Sequence, residues 1–183
     1  MNKFMSKDSE IKKGFTIIEV VLVLAVAGLI FLMVFIALPA LQRSQRDSQR
    51  KQDVFRLAAA LQKYKANNKQ KNLWDGATKE DSSLDYTSVY LEDIESFVNS
   101  YLKAGNDTFE DPLYGEYNLH VHGLIPGAVF STDYSSYEDI SSWGPLIQVY
   151  GNSRCENQVM RYSSVSFTIT HRLENGGWVC HEF

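Results

Sequence analysis

Residues 12–19 read Lys-Lys-Gly-Phe-Thr-Ile-Ile-Glu, and they join a short charged leader to a long apolar run. The run extends from Phe15 to Leu38, which is long enough for a helix to cross a bilayer. Its single charged side chain is Glu19. Because a carboxylate at the centre of a membrane helix costs about 2.5 to 3.5 kcal/mol, Glu19 is a candidate functional residue.

Gly14 precedes the apolar run, whereas an ordinary secretory signal carries its small cleavage-site residues after that run. Cleavage after Gly14 would remove the leader and keep the membrane helix. It would also give Phe15 a free amine about one helical turn from Glu19. The alternative interpretation is an uncleaved signal anchor in which Glu19 is an incidental polar residue.

The segment from Gly14 to Val20 resembles the class III signal of type IV prepilins and pseudopilins. In that family, a membrane aspartyl prepilin peptidase cuts after the glycine and methylates the new N-terminal amine. The resemblance implies that Gly14 precedes the cut, that Phe15 becomes the methylated first residue, and that Glu19 is the assembly carboxylate.

The resemblance extends to two helix-bending residues. Gly28 matches the family's mid-helix glycine. Pro39 corresponds to the family's kinking proline, although Pro39 falls three residues later than that proline does in familiar pilins. The implied organisation is a cleavable cytoplasmic leader, a transmembrane assembly segment, a continued helical spine, and a globular head with a C-terminal disulfide region. These four parts correspond to residues 1–14, 15–38, 39–68 and 69–183.

Hydrophobic spacing beyond Pro39 predicts the rest of the fold. An apolar stripe at helical spacing predicts that the spine has one buried face, and a second helix is expected between Tyr90 and Lys103. Four strands are expected, the last two joined by a hairpin turn at Glu174–Gly177. The sequence predicts an α+β fold like that of type IV pilins, with the distal half of the spine packed against an antiparallel sheet. The stripe is Val54, Leu57, Ala58, Leu61 and Tyr64, and the strands are Tyr117–His122, Leu146–Tyr150, Val165–Leu173 and Trp178–Phe183.

Charge is distributed unevenly along a chain whose formal net charge is −4. The leader and residues 39–68 are basic, whereas the chain from Lys69 onward is strongly acidic. A basic neck and an acidic head can attract each other between neighbouring subunits, although two solvated surfaces are an equally good interpretation. The acidic head argues against nucleic-acid binding.

Cys155 and Cys180 are the only cysteines in the chain. An even pair in a domain outside the membrane favours a disulfide, and the resemblance places the pair in the C-terminal disulfide region of pilins. The alternative is two free buried thiols.

No motif in the sequence predicts catalysis or a cofactor. Walker loops, nucleophile elbows, dinucleotide fingerprints and Cys/His metal clusters do not occur, so we expect a protein that is not an enzyme. His120 and His122 share one face of a strand but lack a third ligand nearby, which favours surface histidines over a metal site. The acidic clusters Glu80–Asp85 and Asp133–Asp139 lack the spacing of a calcium loop.

These observations predict a prepilin, the structural subunit of a type IV pilus that serves adhesion, twitching motility or DNA uptake. Its expected partners are prepilin peptidase, the inner-membrane assembly machinery and other pilin subunits in a homopolymer. It would begin as a single-pass protein of the cytoplasmic membrane and end in the cell-surface filament. Two alternatives are a pseudopilin of a type II secretion or competence system and a monomeric membrane-anchored binding domain.

Overall fold

The computed structural model describes residues 14–76, 86–89, 91–105, 107–131, 145–157, 159–174 and 177–183. These residues contain the α-helices α1, Ile17–Asn67, and α2, Leu91–Phe97, and the latter continues as a π-helical segment, Val98–Leu102. A 3₁₀ turn occupies Leu73–Gly76. The strands are β1, Tyr86–Ser88; β2, Glu110–Asp111; β3, Gly115–Glu116; β4, Asn118–Leu124; β5, Val129–Ser131; β6, Leu146–Glu156; β7, Val159–Arg172; and β8, Trp178–Glu182.

The chain divides into two compact units, Met1–Gln42 and Arg43–Phe183. The described part of the first unit is residues 14–42, and it contains the apolar beginning of α1. The second unit contains the remainder of α1 and all the strands named above. This architecture confirms a long apolar N-terminal helix combined with a sheet, as an α+β fold requires.

Within the second unit, α1 buries one face against the sheet. The buried stripe confirms the predicted spacing, since Val54 and Leu57 are fully buried and Ala58 and Leu61 are nearly so. The helix closes with a C-terminal hydrogen bond from the Gln70 N–H to the Lys65 carbonyl. This closure puts Lys69 in the left-handed conformation that usually favours glycine, with φ of 56°.

The sheet is mixed, so the prediction of an antiparallel sheet is wrong. Its strand order is β1-β4-β6-β7-β5, with β8 also paired to β7, and β2 pairs with β3 in a separate ribbon. The exception to antiparallel pairing is β4 with β6, where Leu119 lies opposite Ile147. The connection over 125–145 is long enough for the chain to cross over and enter β6 in the direction of β4. Sequence reasoning identified both strands but had no signal for this crossover.

Strands β6 and β7 are both longer than predicted, and they pair as a hairpin that was not predicted and is irregular in the middle. Gly151 pairs with Phe167, but Ser153 pairs with Tyr162, so Asn152 stands opposite a bulge of β7 residues 163–166. The polar segments around this bulge lack hydrophobic alternation, which is why both strands were predicted too short.

Trp74 is the reason that position 151 must be glycine. Its indole lies so close to the Gly151 backbone that a Cβ at position 151 would be only 2.1 Å from the nearest ring carbon. Trp74 is 7% exposed and also contacts the Phe167 ring, with centroids 5.4 Å apart. The 3₁₀ turn is thereby held on the sheet beside the core formed by α1, α2 and strands β4, β6 and β7.

The two remaining predicted elements are present with small changes. The predicted β-hairpin near the C-terminus is confirmed, because β7 and β8 pair antiparallel and Leu173 N–H donates to the Gly177 carbonyl. The predicted second helix is also confirmed, but its last turn is π-helical, with the Lys103 N–H bonded to the Val98 carbonyl.

Candidate functional site

The described part of the predicted processing segment lies at the beginning of α1. Gly14 and Phe15 precede the helix, which begins at Ile17, and the Phe15 side chain is 85% exposed. Glu19 lies in the first helical turn. The structure therefore places these residues in an accessible segment next to a helix N-terminus, and their roles in processing and assembly stay predictions.

Glu19 turns back toward the N-terminus of its own helix. The backbone N–H and the hydroxyl of Thr16 each donate to Glu19 Oε2 at 3.4 Å. In return, the Thr16 carbonyl accepts from the backbone N–H groups of Glu19 and Val20. This is the carboxylate half of a capping box, and it places negative charge at the positive end of the helix dipole.

The capping role was missed in reading the sequence, although its signal is present. A Thr followed three residues later by Glu, just before an apolar run, is the sequence signature of a capping box. Glu19 therefore has a local structural role in addition to the predicted assembly role, and the two must be separated experimentally.

The apolar part of α1 has the properties of a membrane-spanning helix. It contains an 18-residue window of mean hydropathy 3.2, none of which is buried, and it is the one such span among the described ranges. Gly28 and Pro39 both lie inside α1, and among the described residues nothing beyond the adjoining helix backbone and chain neighbours lies within 4 Å of the position that a Cβ of Gly28 would take. Bending at these two residues stays a prediction.

The predicted disulfide between Cys155 and Cys180 is present. Cys155 lies on β6 and Cys180 on β8, two strands that each pair with β7. The bond therefore joins two of the three strands that pair with β7, and the Cys155 N–H donates to the Glu182 carboxylate beside it. A covalent tie of this kind stabilises the C-terminal strand of the head.

Three arginines of α1 hydrogen-bond to carboxylates of the head of the same chain, and Arg43 adds a longer ion pair with Glu174 at 3.7 Å. Arg46 makes a bidentate pair with Glu174, in which both N–O distances are 2.7 Å. Arg50 makes a second bidentate pair with Asp111. We call these two pairs, together with the pair between the Arg56 guanidinium and Asp107 at 2.7 Å, the arginine clasp.

The arginine clasp adds an intrachain pairing that neither sequence interpretation of charge included. Arg46, Arg50 and Arg56 belong to the basic neck, and each pairs with a carboxylate of the head of the same chain. Attraction between the neck and head of neighbouring subunits stays a prediction. The sequence showed the two charge clusters, but it could not show that they meet. The residues that pair are separated by 51 to 128 positions.

Asp53 and Tyr117 extend the polar contact between α1 and the head. The Tyr117 hydroxyl donates to Asp53 Oδ2 at 3.0 Å, and Arg56 reaches the other carboxylate oxygen. Burial raises the pKa of Asp53, and burial and the nearby Asp53 charge raise the pKa of Tyr117. Tyr117 therefore stays a neutral donor at physiological pH.

The His120–His122 pair lies on β4 with both side chains only partly exposed, so the two histidines are less accessible than the prediction of surface histidines implied. The two ring centroids are 6.1 Å apart, and the His122 ring stacks on Tyr150. Burial lowers the pKa of His122 to about 4. No group of three or more His, Cys, Asp or Glu residues suited to a metal ion occurs among the described residues. The acidic clusters Glu80–Asp85 and Asp133–Asp139 lie outside them.

The described structure thus contains an exposed apolar helix segment with a carboxylate in its first turn. It is followed in sequence by a head that is held by the arginine clasp and by a disulfide. Compared with family models, curated proteins and solved structures, the chain matches none of them.

Proposed function

We propose that the chain is a type IV prepilin, the building block of a filament assembled through its apolar N-terminal helix. The observation that carries the proposal is the segment Gly14–Val20 at the head of an apolar helix. A glycine before the helix, a potential free amine at Phe15 and a carboxylate in the first turn together supply a cleavage point and an assembly pair.

The proposed mechanism begins with cleavage after Gly14, which leaves Phe15 as the N-terminal residue. The Glu19 carboxylate of an incoming subunit then pairs with the Phe15 amine of a neighbour. Each group is costly alone in lipid, and pairing removes much of that cost. The exposed apolar side chains of α1 exchange lipid contacts for contacts with one another in the filament core.

The head is proposed to form the outer part of the filament. It is held on its own helix by the arginine clasp and by the buried stripe of α1, so it can be added as a preformed unit. The disulfide gives the same unit resistance to unfolding outside the membrane.

Intact mass of the chain extracted from the membrane tests the proposal. We expect loss of residues 1–14 and the addition of one methyl group, and Gly14→Val should retain the full leader. An unprocessed wild-type chain would overturn the proposal and favour a monomeric anchored domain.

Substitution of Glu19 separates its capping role from its assembly role. Glu19→Gln keeps an acceptor for the Thr16 N–H but has no charge, whereas Glu19→Ala removes both. If charge pairing drives assembly, both variants should be processed normally and both should form few filaments. Filament numbers near wild type for Glu19→Gln would show that the carboxylate acts only as a cap.

A further inference from the structure

Gln148 and Thr170 form a buried polar pair on the face of the sheet that points away from α1. They lie directly opposite each other on β6 and β7, and they are 4% and 2% exposed. Ile147, Val149 and Ile169 belong to the core cluster that includes the buried stripe of α1. Since side chains alternate along a strand, Gln148 and Thr170 point to the opposite face of the sheet.

The pair contains more hydrogen-bond donors than partners. The buried Thr170 hydroxyl has no hydrogen-bond partner among the described residues. Gln148 Oε1 accepts from the Tyr150 hydroxyl at 3.3 Å, whereas Gln148 Nε2 donates to no group in the described ranges. A buried polar group without a partner is costly, so these donors require an explanation.

The two side chains are close enough to form a bond. Residues directly opposite each other on antiparallel strands have Cβ atoms about 4.5–5.5 Å apart, so rotation of the side chains can bring Thr170 Oγ1 to Gln148 Cδ. On its other side, Thr170 lies opposite Cys180, whose sulfur is bonded to Cys155. The carboxamide of Gln148 is therefore the electrophilic group that the register places beside the Thr170 hydroxyl.

We infer that Thr170 and Gln148 form an intramolecular ester. Thr170 Oγ1 adds to Gln148 Cδ, the bond between Cδ and Nε2 breaks, and ammonia leaves. The hydroxyl proton ends on the departing nitrogen, so a hydroxyl and a carboxamide give an ester and ammonia without any further reactant. The product contains neither the hydroxyl donor nor the amide N–H donors, which removes the cost of burying them unpaired.

Two neighbouring side chains assist this reaction. The Tyr150 hydroxyl donates to Gln148 Oε1, the atom on which negative charge develops when Thr170 adds. His120 lies on β4 in register with Gln148. Burial lowers the pKa of His120, so its imidazole is neutral at physiological pH and can carry the hydroxyl proton to the departing nitrogen.

The ester adds a second covalent bond to the C-terminal part of the head. It joins β6 to β7, and the disulfide joins β6 to β8, so all three strands are linked covalently. A reductant breaks the disulfide and leaves the ester intact. The inference goes beyond the proposed filament function and does not depend on it.

Mass spectrometry of the full chain extracted from cells tests the ester. We expect an intact mass that is lower, by one molecule of ammonia, than the mass of the same chain with unmodified side chains. Removal of the leader and methylation change the mass by different amounts, so failure of the proposed processing and failure of the ester are observed separately. An intact mass without the loss of ammonia would overturn the inference.

Peptide mapping of the same sample locates the bond. After reduction of the disulfide, trypsin cleaves after Arg154 and Arg161, which lie between Gln148 and Thr170 in the sequence. We expect the peptide that contains Gln148 to stay linked to the peptide that contains Thr170. Two separate peptides would overturn the inference, and so would a loss of ammonia confined to one of them.

Substitutions on β7 test the identity of the nucleophile. Thr170→Val keeps the shape of the side chain and removes an unpaired hydroxyl, so it should fold normally and yield no linked peptide. Thr170→Ser should still yield it. Thr168→Val is the matched control, because Thr168 is buried on the same face of β7 and its hydroxyl is hydrogen-bonded to Ser153. A linked peptide from Thr170→Val, or its loss from Thr168→Val alone, would overturn the inference.

Tyr150→Phe tests the assisted mechanism in newly synthesised chains. Because this change removes the hydrogen bond to Gln148 Oε1, the ester should form roughly a hundredfold more slowly than in the wild type. The fraction of linked peptide is followed over time after pulse labelling. Formation at the wild-type rate would overturn the role assigned to the Tyr150 hydroxyl.

Discussion

Arg50 and Asp111 form a buried ion pair between the long helix and the β2–β3 turn. Arg50 Nε donates to Asp111 Oδ2 at 2.6 Å, and their side chains are 6% and 1% exposed. Asp111 also accepts from the backbone N–H groups of Leu113 and Tyr114. Burial lowers the pKa of Arg50, but hydrogen bonds and charges from Asp111 and Asp47 outweigh it and raise the pKa overall. One carboxylate therefore shapes the turn and ties it to α1.

Asp111→Asn should destabilise the head by about 3–5 kcal/mol, because it leaves the Arg50 guanidinium buried with a weaker partner. The measurement is the free energy of unfolding in urea, followed by tryptophan fluorescence of the full chain in detergent. Asp107→Asn is the matched control, since that carboxylate is 62% exposed and its pair should contribute no more than about 1 kcal/mol. Equal losses of unfolding free energy in the two variants would contradict the conclusion that the buried Arg50–Asp111 pair contributes more than the exposed Arg56–Asp107 pair.

Gly151→Ala should be severely destabilising, because the added methyl group would overlap the Trp74 indole. Trp74→Leu should itself cost about 3 kcal/mol through lost packing. Combining the two changes relieves the overlap, so the double variant should be less destabilised than the sum of the single ones. A double-mutant cycle of unfolding free energies measures this coupling. Strict additivity would show that overlap with the Trp74 ring is not what destabilises Gly151→Ala.

His171 should make the head less stable in acid. Burial and the charges of His181, Arg50 and Lys51 lower its pKa to about 4, and neither ring nitrogen has a hydrogen-bond partner among the described residues. Between pH 6.5 and 4 the unfolded chain binds a proton that the folded chain does not, so stability falls as the pH falls through this range. The His171 ring stacks on the His181 ring with centroids 5.3 Å apart. His171→Phe should keep this stacking and reduce the pH dependence.

Urea midpoints of the wild type and of His171→Phe at pH values of about 7.5, 6 and 4.5 provide the measurement, since these values cover most of the range from about 6.5 to 4. The two proteins should differ little at the highest pH, and the variant should lose less stability on acidification. His122, also with a pKa of about 4, keeps some pH dependence in the variant. Identical slopes in both proteins would show that His171 does not contribute.

Cys155→Ser together with Cys180→Ser should reduce the free energy of unfolding by about 2–4 kcal/mol, as is typical for loss of a native disulfide. Wild-type protein treated with a reductant should show the same loss, and the double variant should not respond to the reductant. A wild type that is insensitive to reductant after complete reduction would contradict this prediction.

Predictions from the sequence succeeded where the physical signal is local. The apolar run Phe15–Leu38, the stripe from Val54 to Leu61 and the Glu174–Gly177 turn each depend on neighbouring residues, and each was located correctly. The disulfide was also predictable, because a chain with two cysteines allows only one pairing within itself.

Only the tertiary structure decided which distant groups meet. Arg50 could have paired with any exposed carboxylate of an acidic head, and the choice of Asp111 follows from where α1 crosses the β2–β3 ribbon. The parallel pairing of β4 with β6 depends on a crossover path that no strand pattern encodes. The requirement for glycine at position 151 likewise comes from Trp74, a residue distant in sequence. Hydrophobic periodicity and turn chemistry act over a few residues, whereas these contacts depend on the packing of the whole head.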